Sequence, residues 1–201
     1  MKLSDIHLNY DTDKGVGHNY IQYYDKLFAP LQASECNILE IGVLHGGSIR
    51  MWKEFFENGN IYGLDDFSHE IGFSREGQTK VDWNQVEEGL NALERVNIIK
   101  CDSTDAEKVT EALEGLKFDL IIDDGNHTVP AQLKTIELFY PYLSENGIYI
   151  VEDVMTRQGA LMCAHKLREL SGKSVDIKEF NIRSRADDRL VVLHNVRELQ
   201  K

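Results

Sequence analysis

The sequence predicts a three-layer α/β fold on a mostly parallel seven-stranded sheet that ends in an antiparallel hairpin. Three observations predict it. Short apolar runs alternate with amphipathic stretches of about 10–15 residues, which is typical of parallel βαβ units. The last two apolar runs are separated by a polar, turn-like segment and not by a helix. A glycine-rich turn directly follows the first predicted strand, as it does in nucleotide-binding sheets.

Hydrophobic periodicity predicts the individual elements. The strands are Asn37–Ile41, Ile61–Leu64, Val96–Lys100, Phe118–Ile122, Ile148–Val151, Val175–Phe180 and Leu190–His194. The helices are Tyr20–Leu31, Ser48–Glu57, Trp83–Glu94, Asp105–Leu116, Val129–Leu143 and Gly159–Leu170. Five βα units followed by a hairpin is the order of the Rossmann-like class I fold of S-adenosylmethionine (SAM)-dependent methyltransferases. A dinucleotide-binding fold would continue with parallel βα units.

Composition and charge narrow the possible partners. The 201 residues predict a single domain, 1–201, that is large enough to bury a core. The net charge of −12 argues against nucleic acid, because an acidic surface repels phosphates. No apolar run approaches the ~20 residues that cross a bilayer, and no signal peptide is visible, so no membrane partner is expected. Three scattered cysteines predict free thiols in a cytoplasmic protein: Cys36, Cys101 and Cys163.

The first strand runs into a glycine-rich loop that we expect to hold the cofactor. Gly42 permits a tight turn, and Gly46 and Gly47 let the backbone approach a ligand closely. Ser48 is placed to cap the following helix, and Glu40 is placed to steer the amino end of the cofactor. The spacing G-x-x-x-G-G differs from the G-x-G-x-x-G of NAD proteins and leaves room for a methionine moiety. A purely structural turn is the alternative.

Polar residues also follow the second and third strands. A carboxylate at the end of the second strand can accept both ribose hydroxyl hydrogens, and we prefer Asp65 over its neighbour Asp66 for this role. After the third strand, Asp102 and Ser103 are expected to meet the adenine. A helix cap or an exposed loop charge is the alternative for any one acid. Acids after three successive strands favour a binding site.

The fourth and fifth strands end in paired acids, Asp123-Asp124 and Glu152-Asp153. These strands are neighbours in the predicted fold, so the four carboxylates should face one crevice. Like charges at such distances resist joint ionisation, and a divalent cation, Mg²⁺ or Mn²⁺, removes the repulsion. We predict three metal ligands: Asp124, Glu152 and Asp153. Asp123 is expected to point away, toward the backbone or the cofactor.

A histidine lies three residues beyond the first predicted ligand. Methyl transfer from SAM is an in-line displacement that requires alignment and removal of the acceptor proton. His127 is therefore predicted to be the general base, and Asp124 to act with it through a metal that stabilises the developing alkoxide. A helix cap or a buried hydrogen-bond donor is the alternative for His127.

These motifs resemble the Mg²⁺-dependent sugar O-methyltransferases of macrolide biosynthesis. They are also similar to rhamnosyl O-methyltransferases and cephalosporin hydroxylase-like proteins. The matching residues are Thr12-Asp13-Lys14, His18, Tyr20, Tyr24, Leu39–Val43, Gly46-Gly47-Ser48, Asp124–His127, Glu152-Asp153 and Thr156. The resemblance implies the same three metal ligands, the same base, and the hydroxyl of a deoxysugar such as rhamnose as acceptor. The sequence departs from many relatives at Asn126, where they have serine.

A polar and aromatic segment precedes the first strand. Its Thr-Asp-Lys run is not needed for packing, so we interpret region 1–35 as a lid or helix over the site. A plain amphipathic helix is the alternative. Three residues of this region are expected to take part in cofactor binding: Thr12, Lys14 and Tyr20.

An insertion over residues 66–83 is expected to form the acceptor side of the site. Its aromatic side chains are candidates for the walls of a sugar pocket: Phe67, Phe73 and Trp83. The expected partner is a sugar, either on a small molecule or on a glycan. A homo-oligomer and a position within a larger protein both stay open.

Three competing interpretations stay open. Catechol-type methyltransferases share a similar metal layout but carry lysine where this chain has His127, so the histidine favours a sugar. An NAD(P)-dependent Rossmann oxidoreductase is disfavoured by the glycine spacing and by the lack of a suitably placed Tyr-x-x-x-Lys pair. A non-catalytic module with the SAM-binding fold has no need to retain His127 and all three acids.

Overall fold

The computed structural model describes residues 1–68, 72–74, 77–180 and 186–194, and for residues 72–79 it describes the backbone alone. The strands are β1 (Asn37–Ile41), β2 (Asn60–Asp65), β3 (Gly72–Ser74), β4 (Gly77–Thr79), β5 (Val96–Lys100), β6 (Phe118–Asp123), β7 (Leu143–Val151), β8 (Val175–Glu179) and β9 (Arg189–Leu193). The α-helices are α1 (Leu3–Ile6), α2 (Asp13–Val16), α3 (Ile21–Leu27), α4 (Gly47–Phe55), α5 (Trp83–Asn91), α6 (Ala106–Ala112), α7 (Val129–Phe139) and α8 (Arg157–Ser171). Short 3-10 turns cover His7–Asn9, Ala29–Leu31 and Tyr140–Tyr142.

Seven strands form one sheet in the order β5-β2-β1-β6-β7-β9-β8. The strands from β5 to β7 run parallel, whereas β9 pairs antiparallel with both β7 and β8. The predicted fold class is therefore confirmed, including the antiparallel pair at the C-terminal end. The chain moves outward from β1 in both directions, so the strand order reverses between β1 and β6. Ligands of open α/β sheets bind at this switch point, beyond the carboxyl ends of the strands.

Helices cover both faces of the sheet, and each face has its own hydrophobic core. Leu27, Trp52 and Leu90 bring α3, α4 and α5 against one face. A second core contains buried residues of α6, α7 and α8, among them Val109, Phe139 and Leu167. Successive side chains of a strand point to opposite faces, so the central strands must be apolar along their whole length. Their continuous apolar runs in the sequence have this cause.

Two of the predicted helices end early at prolines. The predicted helix Tyr20–Leu31 ends as α3 at Leu27 and continues as a 3-10 turn that contains Pro30. The predicted helix Val129–Leu143 ends at Phe139, and Pro141 lies in the next 3-10 turn. Proline lacks the amide hydrogen that would continue an α-helix and disfavours the helical conformation of the residue before it. β7 consequently begins at Leu143, five residues earlier than predicted.

The two segments expected to enclose the site contain short elements that the periodicity did not reveal. α1 and α2 have four residues each and precede α3. The insertion 66–83 carries the two-stranded β3–β4 hairpin. Within the described ranges, no helix is both long and apolar enough to span a bilayer.

Candidate functional site

A cavity of about 940 Å³ opens at the carboxyl ends of the parallel strands. Most of the predicted site residues line it: Thr12, Gly42, Ser48, Asp65, Asp102, Ser103, Asp124, His127 and Asp153. Four others are buried and lie outside this wall: Lys14, Tyr20, Glu40 and Glu152. Gly46 also lies outside the wall, whereas its neighbour Gly47 lines it. The structure thus brings the predicted residues together in two layers, a cavity wall and a buried layer of polar side chains.

The glycine loop makes room for two neighbouring segments. Gly42 has φ +89°, and a Cβ on it would lie 2.1 Å from the carbonyl oxygen of Asp124. A Cβ on Gly47 would lie 1.9 Å from the carbonyl oxygen of Asp11. Gly46 has φ +75°, and a Cβ there would meet the side chain of Leu90 at 2.6 Å. These glycines let the loop pass close to both the β6 tip and the N-terminal segment.

Glu40 lies beneath the glycine loop and is fully buried. Its Oε2 accepts hydrogen bonds from the Ser48 hydroxyl at 2.6 Å and from Trp52 Nε1 at 3.2 Å. Burial raises the pKa of Glu40, and the ammonium of Lys14 opposes the rise. Glu40 therefore orients Ser48, which faces the cavity, and its expected link to a cofactor is indirect.

The acids after β2 have different surroundings. Asp65 Oδ2 accepts the amide hydrogens of Val43 at 2.7 Å and Leu44 at 3.1 Å, and its Oδ1 accepts that of Phe67 at 2.7 Å. Asp66 is exposed, lines the cavity and accepts the Ser68 amide with Oδ1 alone. Asp65 thus shapes both loops at the cavity, whereas Asp66 has more capacity left for a ligand.

The loop after β5 presents Asp102 and Ser103 to the cavity. Asp102 Oδ1 accepts hydrogen bonds from the amide of Thr104 at 2.8 Å and from its hydroxyl at 2.7 Å. The carboxylate therefore closes a local turn, while both residues remain on the wall where an adenine is expected.

Three carboxylates from three strand ends surround one lysine. The Lys14 Nζ lies 2.6 Å from Asp124 Oδ2, 2.7 Å from Glu152 Oε2 and 3.1 Å from Glu40 Oε1. The lysine side chain is 1% exposed. Burial alone would lower the pKa of Lys14, but the acids around it hold this pKa well above its usual value. The ammonium is therefore charged and is the central cation of the cluster.

Glu152 is held on both carboxylate oxygens. Its Oε1 accepts from the Tyr24 hydroxyl at 2.7 Å, and its Oε2 accepts from Lys14. Its backbone carbonyl accepts from Gln132 Nε2 at 3.1 Å. Burial holds the pKa of Glu152 well above its usual range, with Lys14 opposing this rise. This carboxylate is the most constrained of the three predicted metal ligands.

Asp153 faces both the cavity and the N-terminal segment. Its backbone has φ +54°, a conformation in which aspartate is one of the better tolerated residues. Its Oδ1 accepts from the Tyr20 hydroxyl at 2.9 Å, and its Oδ2 lies 3.2 Å from His18 Nε2. Burial raises the pKa of Asp153 to about 6, and the neighbouring charge of Asp124 adds to the rise.

Three donor side chains beside the cavity are close enough to share one cation. Ligand atoms of Asp124, His127 and Asp153 all lie within 4.8 Å of one another, next to the cavity. In the described part of the chain, Nδ1 of His127 is buried and has no hydrogen-bond partner. This donor set differs from the predicted one, because it contains His127 and leaves out Glu152. Carboxylate oxygens with an imidazole suit a divalent cation.

Asp123 points away from this group. Its carboxylate accepts from the hydroxyl of Thr135 on α7 and from the amide of Gly125. Burial raises its pKa to about 7. The side chain therefore supports the turn after β6, in the direction that the sequence analysis expected.

Several contacts were missed by reasoning from the sequence. His18 and Tyr24 were noted as parts of a lid, but they are buried against Asp153 and Glu152. Their nearness to Lys14 in the sequence was the available signal. His45 lines the cavity and lies 5.4 Å, between ring centroids, from Trp83.

The N-terminal segment and the insertion contribute unequally. Thr12 lines the cavity and caps α2, whereas Lys14 and Tyr20 contact the acids beneath it. In the insertion, Phe67 is buried and its ring lies 6.1 Å from that of Trp83. The side chain of Phe73 lies outside the described part of the structure.

The glycine turn at the switch point and the polar residues after successive strands define the Rossmann-like class I fold of SAM-dependent methyltransferases. Residues 39–154 match a protein-family model described as a methyltransferase domain, and the chain belongs to this family. The methyltransferase interpretation is thus confirmed over the alternative of a Rossmann oxidoreductase.

The similar proteins that are curated are O-methyltransferases by name, and the names of some of them include a rhamnosyl or olivosyl group. A mycinamicin VI 2''-O-methyltransferase of Micromonospora griseorubida is 33% identical over 166 residues, which cover 77% of this chain and 36% of that protein. An 8-demethyl-8-alpha-L-rhamnosyl tetracenomycin-C 2'-O-methyltransferase of Streptomyces olivaceus is 27% identical over 162 residues, covering 77% of this chain and 38% of its own length. The chain thus spans little more than a third of these relatives. The resemblance to sugar O-methyltransferases is confirmed.

A solved structure of the MycE methyltransferase of the mycinamycin pathway, in complex with Mg, SAH and mycinamycin VI, is also similar. It is 31% identical with a TM-score of 0.62, over 76% of this chain and 37% of the other. Another MycE structure, crystal form 1 in complex with Mg and SAH, aligns over 96% of this chain and 54% of the other, with 24% identity and a TM-score of 0.72. This second alignment extends the shared fold to almost the whole described chain.

Proposed function

We propose that the chain transfers a methyl group from SAM to a hydroxyl of a deoxysugar, with the help of Mg²⁺ or Mn²⁺. Rhamnose is the first sugar to test. One observation carries the proposal: donor atoms of Asp124, Asp153 and His127 converge at a cavity whose wall also contains the glycine loop. The sugar-modifying relatives support the same chemistry.

The cofactor is proposed to lie across the switch point. Its amino acid end would approach the glycine loop and Ser48, which Glu40 holds in place. Its ribose would meet the acids after β2, and Asp66 has the freer carboxylate there. Its adenine would lie against the loop of Asp102 and Ser103.

The residues present fit a divalent cation. Four carboxylates cluster at the ends of β1, β6 and β7, and they have one lysine between them: Glu40, Asp124, Glu152 and Asp153. Excess buried negative charge is unfavourable without a further cation. We propose Asp124, Glu152 and Asp153 as ligands, and Glu152 would use the remaining lone pairs of its oxygens. A bound ion would stabilise the negative charge that develops on the acceptor oxygen.

His127 is proposed to take the acceptor proton. It lines the cavity beside Asp124 and is half-buried. As the acceptor oxygen bonds to the methyl carbon, the carbon–sulfur bond breaks, and the hydroxyl proton moves to the imidazole. Asp124 shares the catalytic role by holding the ion next to that oxygen.

The kind of acceptor, the location and the assembly state belong to the same proposal. The acceptor would be a sugar on a small molecule or a glycan, and neither nucleic acid nor a membrane is needed as partner. A cytoplasmic location agrees with three buried, free cysteines: Cys36, Cys101 and Cys163. The chain spans little more than a third of its curated relatives, and this short span is compatible with a longer protein around this domain. A homo-oligomer is compatible with it as well.

The test is a methyl-transfer assay with SAM and Mg²⁺ on matched acceptors. The acceptors are a methyl rhamnoside, its 2-deoxy analogue and catechol. Mass spectrometry would measure the methylated acceptor and SAH in each reaction. We expect methylated rhamnoside and SAH, loss of both with chelator, and loss of both in Asp124→Asn. Turnover on catechol without turnover on any sugar, or activity that is indifferent to the chelator, would overturn the proposal.

A further inference from the structure

The N-terminal segment, defined as residues 12–24, supplies one ammonium and two tyrosine hydroxyls that contact acids at the strand ends. Lys14 reaches Glu40, Asp124 and Glu152. Farther along the segment, two tyrosine hydroxyls donate to the acids after β7: Tyr20 to Asp153 and Tyr24 to Glu152. The segment is therefore attached to the site through the same carboxylates that are proposed to bind metal.

Lys14 is the electrostatic centre of this attachment. Its Nζ lies within 3.1 Å of all three carboxylates, and the side chains of Glu40 and Glu152 are almost completely buried. Removing the partner of a buried carboxylate strongly destabilises the folded state, because neither water nor another charge replaces the lost interaction. The methylene groups of Lys14 cannot provide this compensation, so the role belongs to the ammonium.

We propose that Lys14 is a positioning residue that acts as a resident counter-cation of the metal site. The ammonium keeps Asp124 and Glu152 in place and holds the N-terminal segment on the strand ends before any metal binds. It shares the compensation of negative charge with the divalent ion. This inference rests on the proposed metal site, and it goes beyond the expected contact between Lys14 and the cofactor.

The proposal predicts the direction in which the loss of the Lys14 ammonium changes the affinity for the metal. The ammonium contacts one oxygen of Asp124 and one of Glu152, so it repels a divalent ion that binds to the other side of these carboxylates. Removing the ammonium should tighten metal binding by at least about tenfold. A protein that binds an ion more tightly is stabilised more by it. Loss of Lys14 should therefore make stability depend strongly on the metal.

The first experiment compares thermal unfolding of wild type, Lys14→Met and Lys14→Arg in EDTA and in Mg²⁺, together with Mn²⁺ affinity by electron paramagnetic resonance. Lys14→Met keeps the approximate length of the side chain and removes the charge. We expect its Mg²⁺-induced rise in Tm to be at least twice that of wild type, with tighter Mn²⁺ binding. Lys14→Arg keeps the charge and should behave like wild type. If Lys14→Met folds in Mg²⁺ and does not fold in EDTA, this is the same result in an extreme form.

A second variant covers the case in which Lys14→Met does not fold at all. Glu40→Gln removes one of the buried negative charges, so the double variant Lys14→Met/Glu40→Gln should recover much of the lost stability. If the stability losses of Lys14→Met and Glu40→Gln are strictly additive in the double variant, the counter-cation role of Lys14 is overturned. Equal Mg²⁺-induced rises in Tm in wild type and Lys14→Met would overturn it as well. A wild-type protein that binds neither Mg²⁺ nor Mn²⁺ would refute the proposed metal site. The double variant measured in EDTA would still decide the role of Lys14.

Discussion

Substituting Gly42 by alanine should disturb the cofactor loop and the metal site together. The residue has φ +89°, and the added Cβ would lie 2.1 Å from the carbonyl oxygen of Asp124. Real Cβ contacts are essentially never shorter than 3.0 Å, so the two segments must separate by about 1 Å. A displacement of this size at a reacting centre can lower turnover by about 10²-fold. We expect Gly42→Ala to weaken binding of both SAH and Mg²⁺, measured by calorimetry.

Gly115 provides the matched control, because it has φ +76° and nothing within 4 Å of an added Cβ. Gly115→Ala therefore introduces backbone strain of about 1 kcal/mol without a clash. In a chain of this length, 1 kcal/mol corresponds to a fall in Tm of about 2–4 °C. Gly42→Ala should lose clearly more stability, whereas Gly115→Ala should bind both ligands normally. Equal losses of Tm, with normal SAH and Mg²⁺ binding in both variants, would refute the reasoning.

Three further predictions follow from the site. His127→Ala should lose about 10²–10⁴-fold in turnover while it keeps its affinity for SAH, because a general base acts on the chemical step; unchanged turnover would remove His127 from the mechanism. Mg²⁺ affinity should rise between about pH 4 and pH 6 and then level off, because the raised pKa of Asp153, about 6, makes ion binding compete with a proton. In the metal-free protein, the stability contributed by that protonated carboxyl is fully present below about pH 4 and is lost as the pH rises through 6. Tm shifts with Mg²⁺ across this range measure the effect, and a constant shift would contradict it. Asp65→Asn should destabilise the fold, because Asp65 accepts hydrogen bonds from three backbone amides. Asp66→Asn should weaken SAH binding with little change in Tm. Calorimetry on both variants separates these two roles, and the reverse pattern would contradict them.

The fold was predictable because its signals are local in the sequence. Continuous apolar runs indicate strands that are buried on both faces, and a missing helix before the last run indicates an antiparallel partner. The boundaries were less predictable where a few local residues decide them. Pro30 and Pro141 end two helices early, and α1 and α2 are too short to show a helical period.

The composition of the site was also predictable, because the ends of parallel strands meet at one edge of a sheet. This argument placed Asp124 and Asp153 beside His127, where the structure also has them. It did not resolve how each carboxylate is used. Asp65 has its acceptors occupied by backbone amides, and Glu152 has both oxygens bound by side chains from the N-terminal segment.

The sequence by itself therefore determined the order of strands and helices, the glycine turn and the choice of acids at the strand ends. Only the tertiary structure decided which of these acids face the cavity and which are paired beneath it. The reason is that Lys14 lies 110 residues before Asp124 and 138 residues before Glu152, and no periodicity of the sequence encodes such a contact. Packing α2 against the strand ends brings the ammonium to the acids, and the balance of charge at the site exists only once that packing has formed.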